Sequence, residues 1–273
     1  MTVADTCKQL KMSRQNYYKH KIKVFERSID SDFILKQVRK ERYFQPCLGC
    51  RKLLYLLNDV LKDNGISLGR DRFFDLLREH GLLIEKKKKR PRTTDSRHNL
   101  PLTPNLIKDI KITAPNQVWC SDLTYIRTDE NFMYAALITD MHSRKIVGMH
   151  IGDSLESIGC VKALEIAAKT ILPGQRVIHH SDRGCQYCCH QYMDKLNEYN
   201  ILASMTEANH CYENAMAERV NGILKQEFEL DQKFRTKKQA IAAFYQAIEI
   251  YNNRRPHMSL NYRTPAEVFK NAV

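Results

Sequence analysis

Three acidic residues, Asp122, Asp182 and Glu218, fall in parts of the chain where a carboxylate needs compensation. Asp122 lies in Asn116-Gln-Val-Trp-Cys-Ser-Asp-Leu-Thr-Tyr-Ile. There Val118, Cys120, Asp122, Thr124 and Ile126 alternate with Trp119, Leu123 and Tyr125, the period of a strand. Aspartate is disfavoured in strands and costly to bury as an ion unless a cation or donors offset its charge. Asp182 follows Arg176-Val-Ile-His, a β-like run that empties towards the breaker Gly184. Glu218 sits in a helical pattern. At about 100° per residue, Met216, Ala217, Val220, Ile223, Leu224 and Phe228 share one arc, and Asn214, Glu218, Asn221 and Lys225 share the opposite one. Alone, that polar stripe reads as a solvated helix face. Three carboxylates brought together repel one another, so such a cluster calls for divalent cations. Hard oxygen donors of this kind suit Mg²⁺ or Mn²⁺.

The elements that must position these residues are legible as alternations of period. Strand-like stretches at 117–127, 132–141 and 145–151 are joined by hairpin-like turns around Asp129-Glu-Asn and His142-Ser-Arg. An apolar-faced helix over 155–171 closes at Pro173-Gly174, and a strand over 176–180 follows. A helix over 189–199, a short strand over 201–205 and the helix over 214–229 complete the order βββαβαβα. This is an α/β arrangement, with a sheet between helices. Asp140 and Arg144, just beyond the second strand, read as turn or support residues.

Upstream the pattern is helical and basic. Ser13 is placed to cap the second of two short helices, Ser31 to cap another running to about residue 43, and Pro46 to open a longer one. The last carries Leu53, Leu54, Leu56, Leu57, Val60 and Leu61, and ends at Asn64-Gly65. A further helix over 67–81 begins with Arg70 and Arg72. Helix, tight turn and arginine-led helix fit helix-turn-helix DNA binding, and equally a bundle whose arginines are solvated. The run Lys86, Lys87, Lys88, Lys89, Arg90 repels itself into an extended state. It is either a solvated tether or a phosphate contact, and the charge of the whole chain favours phosphate. At the other end, 236–251 reads as an amphipathic helix with Ala240, Ala243, Phe244, Ile248 and Tyr251 on one side. Arg254, Arg255 and His257 behind it are candidate DNA contacts, and Thr264-Pro-Ala-Glu-Val-Phe reads as a capped final turn.

Bulk composition points the same way. With 273 residues and 43% hydrophobic content the chain can bury a core, and a net charge of +13 implies a polyanionic partner. No apolar run approaches a membrane span, and no signal-peptide pattern opens the chain, so a soluble, cytoplasmic protein is expected. Nine cysteines, an odd number, read as reduced thiols. Cys185, Cys188, Cys189, His190, His210 and Cys211 are dense but match no common zinc-finger spacing.

With these motifs in hand, the chain over roughly 30–273 resembles the DDE transposases of the bacterial insertion-sequence-three family, relatives of retroviral integrases. The matching pieces begin with the segment around Asp122, Asp140-Met-His-Ser-Arg-Lys-Ile-Val-Gly and His180-Ser-Asp-Arg-Gly-Cys-Gln-Tyr. They continue with Glu213-Asn-Ala-Met-Ala-Glu, Leu224-Lys-Gln-Glu, Tyr251-Asn-Asn-Arg-Arg-Pro-His and Thr264-Pro-Ala-Glu-Val-Phe. Thirty-five residues separate Asp182 from Glu218, the spacing characteristic of these families. Glu213, Cys120 and Cys185 depart from the usual residues without touching the acidic triple.

The resemblance implies an RNase H-like integrase catalytic core over 116–230, with a mixed five-stranded sheet and flanking helices. A helical, helix-turn-helix-like DNA-binding arm would occupy 1–90, a basic linker 91–115 and a helical tail 231–273. It implies metal-dependent phosphodiester cleavage and DNA strand transfer of an insertion sequence, by way of a circular intermediate. Asp122, Asp182 and Glu218 would hold two Mg²⁺ or Mn²⁺ ions, with Lys225 and Arg219 near DNA. Expected partners are the element ends and target DNA, further copies in a synaptic complex, and the product of an upstream frame to which this frame is fused by frameshifting. Two rivals stand beside it. A basic DNA-binding regulator without catalysis accounts for the charge but not for the acidic triple. An RNase H-type nuclease shares the metals and differs in its substrate, an RNA–DNA hybrid.

Overall fold

The computed structural model describes residues 2–85, 102–207 and 214–271. The chain forms two compact units, Met1–Phe44 with Leu48–Glu85, and Gln45–Cys47 with Lys86–Val273.

The first unit contains α1 (Val3–Gln9), α2 (Arg14–Phe44), α3 (Cys50–Asp63) and α4 (Arg70–Glu79). Ser13 caps α2 as expected, its Oγ accepting the Asn16 amide at 3.1 Å. The break expected at Ser31 is absent. Its hydroxyl donates to the Arg27 carbonyl at 2.7 Å, so the serine is absorbed into one 31-residue helix. The helix expected to open at Pro46 starts instead at Cys50, behind Gly49. The core joins Ile34, Leu35 and Val38 of α2 to Leu53, Leu57 and Leu61 of α3 and to Phe73 and Leu77 of α4. Gly65 (φ +70°) and Gly81 (φ +64°) take the left-handed conformation that ends α3 and α4.

The second unit is built on a sheet ordered β3-β2-β1-β4-β5. Its strands are β1 (Val118–Thr128), β2 (Phe132–Asp140), β3 (Ile146–Gly152), β4 (Ile178–Ser181) and β5 (Leu202–Met205). The first three pair antiparallel, whereas β1, β4 and β5 run parallel. The expected mixed sheet is therefore present. A two-residue β6 (Lys233–Phe234) also joins β1 at Arg127 and Thr128, beyond the reach of β4. The helices are α5 (Ser157–Ala168), α6 (Cys185–Cys188), α7 (His190–Glu198), α8 (Ala215–Glu227), α9 (Lys237–Asn253) and α10 (Pro265–Lys270). The single turn α6 is an addition to the expected order.

Strand periodicity divides the core into two layers. Ala135 and Leu137 of β2 face a layer made with Val220, Ile223 and Leu224 of α8 and Phe244, Ile248 and Tyr251 of α9. Their neighbours Ala136 and Ile138 face the opposite layer, with Trp119 of β1, Val161 and Leu164 of α5, and Tyr192 and Leu196 of α7. At Gly148 a Cβ atom would lie 2.3 Å from the Ala163 carbonyl oxygen, so the absence of a side chain lets α5 lie against β3. Asp140 is a support residue, as expected. Its Oδ1 accepts the Asn116 amide at 2.8 Å, and its Oδ2 accepts the Ser143 amide and hydroxyl at 2.7 and 2.6 Å. The final helix carries its anticipated cap, with Thr264 and Glu267 bonding reciprocally. Among the described residues, no helix is long and apolar enough to cross a membrane.

Candidate functional site

The parallel pairing of β1 with β4 brings two of the three acidic residues level. Val118, Trp119 and Cys120 pair with Ile178, His179 and His180. The same offset carried two residues further sets Asp122 beside Asp182, which stands just past the end of β4. Asp182 turns back on its own loop, its Oδ1 accepting the Gly184 amide at 3.0 Å.

The helix α8 supplies the third acid and is tied to β1 on either side of it. Asn214, its N-cap residue, donates its amide to the Ser121 carbonyl at 3.0 Å. Asn221 donates to Asp122 Oδ2 at 2.7 Å, while Asp122 Oδ1 accepts the Leu123 amide at 2.9 Å. Glu218 lies between the two asparagines, in the first turn of α8 and exposed. The polar stripe is therefore not a wholly solvated face, since both asparagines are buried. Sequence reading placed Asn221 on the stripe and gave it no role. The available signal was its position three residues after Glu218 and four before Lys225 on one helix face.

Charge is under strain here. The Asp122 carboxyl is pushed up to about 6, chiefly by burial, with the negative charges of Asp182 and Glu218 acting in the same direction. The Asn221 and Leu123 N–H groups pull it back down. Beneath Asp122, Ser121 Oγ and the Tyr192 hydroxyl both meet Nε2 of His179, a buried ring that desolvation keeps neutral down to about pH 3. On the same strand, His180 Nδ1 meets Ser204 Oγ at 2.9 Å. These histidines tie β1, β4, β5 and α7 together behind the acids, and they too escaped the sequence reading.

The residues present fit a hard divalent cation in their chemistry. The donors are all oxygen, the carboxylates disfavour one another's charge, and the side-chain oxygens of Asn214 and Asn221 are buried with no hydrogen-bond partner among the described residues. The geometry is open: among the described residues, no three carboxylate, imidazole or thiol groups stand close enough to enclose a metal. That also leaves the cysteine-rich stretch without a metal site among the described residues. No disulfide joins any of the eight described cysteines, while His210 and Cys211 lie outside the described residues.

Of the anticipated DNA contacts, Arg219 is exposed beside Glu218 and Lys225 is half-buried near the end of α8. Lys86, Lys87, Lys88, Lys89 and Arg90 lie outside the described residues. Arg255 is not a DNA contact. It is buried and grips Glu227 through two hydrogen bonds of 2.8 Å, a fork that fixes the end of α9 to α8. His257 is buried as well, its ring edge-on to Tyr251.

Comparison with known proteins agrees with the fold. Two models described as "Integrase core domain" match residues 112–211 and 199–265. The "Insertion element IS600 uncharacterized 31 kDa protein" of Shigella sonnei is 40% identical over 77% of this chain and 78% of its own length. The "Transposase for insertion sequence element IS629" of the same organism is 30% identical over 98% of this chain and 91% of its own. A chain in the cryo-electron microscopy structure of a simian T-cell lymphotropic virus intasome, bound to PP2A regulatory subunit B56 gamma, superposes with a TM-score of 0.50. It is 15% identical and covers 84% of this chain and 73% of that one, a likeness of fold.

Proposed function

The chain belongs to the insertion-sequence-three family of DDE transposases and is a DNA transposase with an integrase core; we propose that Asp122, Asp182 and Glu218 are its catalytic carboxylates. The observation that carries this assignment is the convergence of β1, the end of β4 and α8, with Asp122 half-buried and its charge disfavoured by the other two acids. The Asn221 and Leu123 donors offset part of that cost, and a divalent cation shared by the three carboxylates would offset the rest.

Asp122, Asp182 and Glu218 would hold two Mg²⁺ or Mn²⁺ ions. When bound, such ions acidify an attacking water or DNA 3′-hydroxyl and stabilise the leaving oxygen of the phosphodiester. Asn221 holds Asp122 in one orientation through its 2.7 Å hydrogen bond, so one carboxylate oxygen is fixed by the protein. The Ser121–His179–Tyr192 network holds the strand beneath it. Attack by water nicks the element end, and attack by the freed 3′-hydroxyl joins that end to target DNA. Lys225, two helical turns beyond Glu218, lies about 10 Å along the axis at roughly 1.5 Å per residue. It serves as a phosphate contact outside the metal ligands, with Arg219 beside Glu218 and the 86–90 run adding charge.

Joining two ends requires both to be held at once, so the working form is a homo-oligomer on paired DNA ends. The product of an upstream frame supplies much of the end recognition. The test is strand transfer on a terminal-end duplex in Mg²⁺, with DNA affinity measured in parallel. Asp122→Ala, Asp182→Ala and Glu218→Ala should each abolish joining while leaving affinity nearly intact. Near wild-type joining by any one of them removes that residue from the catalytic set.

A further inference from the structure

The first half of α2 carries an apolar seam that none of the described residues covers. Tyr18, Ile22, Phe25 and Ile29 are 51, 58, 67 and 54% exposed. Their spacing of four, three and four is that of a coiled-coil seam. Every residue from 18 to 29 is exposed, so this stretch stands clear of the unit's core, which takes hold of α2 only from Ile34, Leu35 and Val38 onward. A helical stretch this short does not persist in water by itself. Here the anchored half of α2 removes the cost of nucleation, and an apolar partner along the seam would supply the missing burial.

We propose that this seam pairs with the same seam of a second copy of the chain, in antiparallel orientation. The charges choose both partner and direction. With Tyr18 and Phe25 at d positions and Ile22 and Ile29 at a positions, Lys19 and Glu26 occupy e, and Arg14, Lys21 and Ser28 occupy g. Antiparallel pairing stacks Tyr18 on the partner's Ile29 and Ile22 on the partner's Phe25, so all four residues meet an apolar neighbour. It brings Lys19 against the partner's Glu26 twice by symmetry, and sets Lys21 against the uncharged Ser28. Parallel pairing would gain Lys21 against Glu26 but force Arg14 against Lys19, two like charges. The antiparallel arrangement alone has an attractive pair and no clash at these flanks. This surface is independent of the catalytic assignment, because its readout is self-association and not chemistry.

Sedimentation velocity on the full chain across a concentration series tests it. Ile22→Gln and Phe25→Gln keep helix-forming residues and should each weaken self-association about tenfold or more, the loss expected for removing one buried apolar side chain. Lys19→Glu should weaken it and Glu26→Lys likewise, while the double variant Lys19→Glu/Glu26→Lys restores it. That restoration excludes misfolding as the cause. Lys21→Glu should be nearly silent. A tighter dimer in Lys19→Glu, or a weaker one in Lys21→Glu, would overturn the antiparallel pairing. Unchanged self-association in both glutamine variants would overturn the surface itself. So would unchanged self-association with weakened DNA binding, since DNA would then be what covers the helix.

Discussion

At the level of single residues, the site is organised by a conflict between burial and charge at Asp122. Its folded-state value of about 6 lies above the ordinary aspartate value. The folded protein therefore holds a proton on Asp122 in the window between about 4 and 6, where the unfolded chain has released it. Stability falls as pH rises through that window, and the full penalty, on the order of 2–3 kcal/mol, is present at neutral pH. Asp122→Asn should accordingly raise the melting temperature at pH 7 and change it little at pH 4, as calorimetry at the two values would show. A stabilisation of equal size at both would mean that charge is not the source. Added Mg²⁺ should stabilise the native protein at pH 7 and fail to stabilise Asp122→Asn to the same extent. Asn221 works against the same penalty, since its amide favours the ionised carboxylate. Asn221→Ala should lower strand transfer roughly tenfold to a hundredfold, the range for a lost hydrogen bond to a charged group. Part of that loss should be recovered at higher pH, where Asp122 ionises without help. A pH-independent loss would place Asn221 in substrate contact, not in carboxylate positioning.

At the level of elements, close backbone approach keeps the sheet and helices in the register that levels the acids. Gly148 marks the tightest point, where any side chain would meet the Ala163 carbonyl and the Ala167 methyl of α5. Gly148→Ala should destabilise the protein by about 1–3 kcal/mol through overpacking, seen as a drop in the thermal midpoint, with strand transfer per folded molecule reduced less than folding. A silent substitution would show that α5 is free to shift. This scale also explains what the sequence made legible. Alternation along Val118–Thr128 and Phe132–Asp140 and the 3.6-residue stripe of Ala215–Glu227 are local signals, and each element formed where its period predicted. The level placement of Asp122 and Asp182 is a matter of strand pairing between distant segments, so spacing along the chain does not encode it. Ser31 was misread because a serine that bonds back to its i−4 carbonyl looks the same in sequence as one that caps. Arg255 was misread because its partner Glu227 lies on another helix, and a buried fork and a DNA-facing arginine share one residue type. Strand β6, two residues long, offers no period to detect.

At the level of the whole molecule, the acids and the basic excess divide the work. Asp122, Asp182 and Glu218 make one negative locality in a chain of net charge +13, so on the proposed assignment DNA would be held by residues elsewhere while its scissile phosphate is brought to these acids. Divalent cations bound there would reconcile the two, because they would neutralise the acids and the phosphate together. Most of the non-specific affinity should therefore come from lysines and arginines outside the core, and Lys86, Lys87, Lys88, Lys89 and Arg90 form a compact source of it. Each lysine or arginine that sits on a phosphate releases counterions, and this makes log affinity fall with log salt at about 0.9 per contact. Replacing all five by glutamine should weaken binding to related and unrelated duplexes alike, and should flatten the salt dependence by about 0.9 for each contact removed. A direct reader of bases would behave differently, losing affinity for the element end and keeping its slope. If affinity and slope both stay at wild-type values, the run is a solvated tether, and the phosphate contacts must be sought on α8, at Arg219 and Lys225.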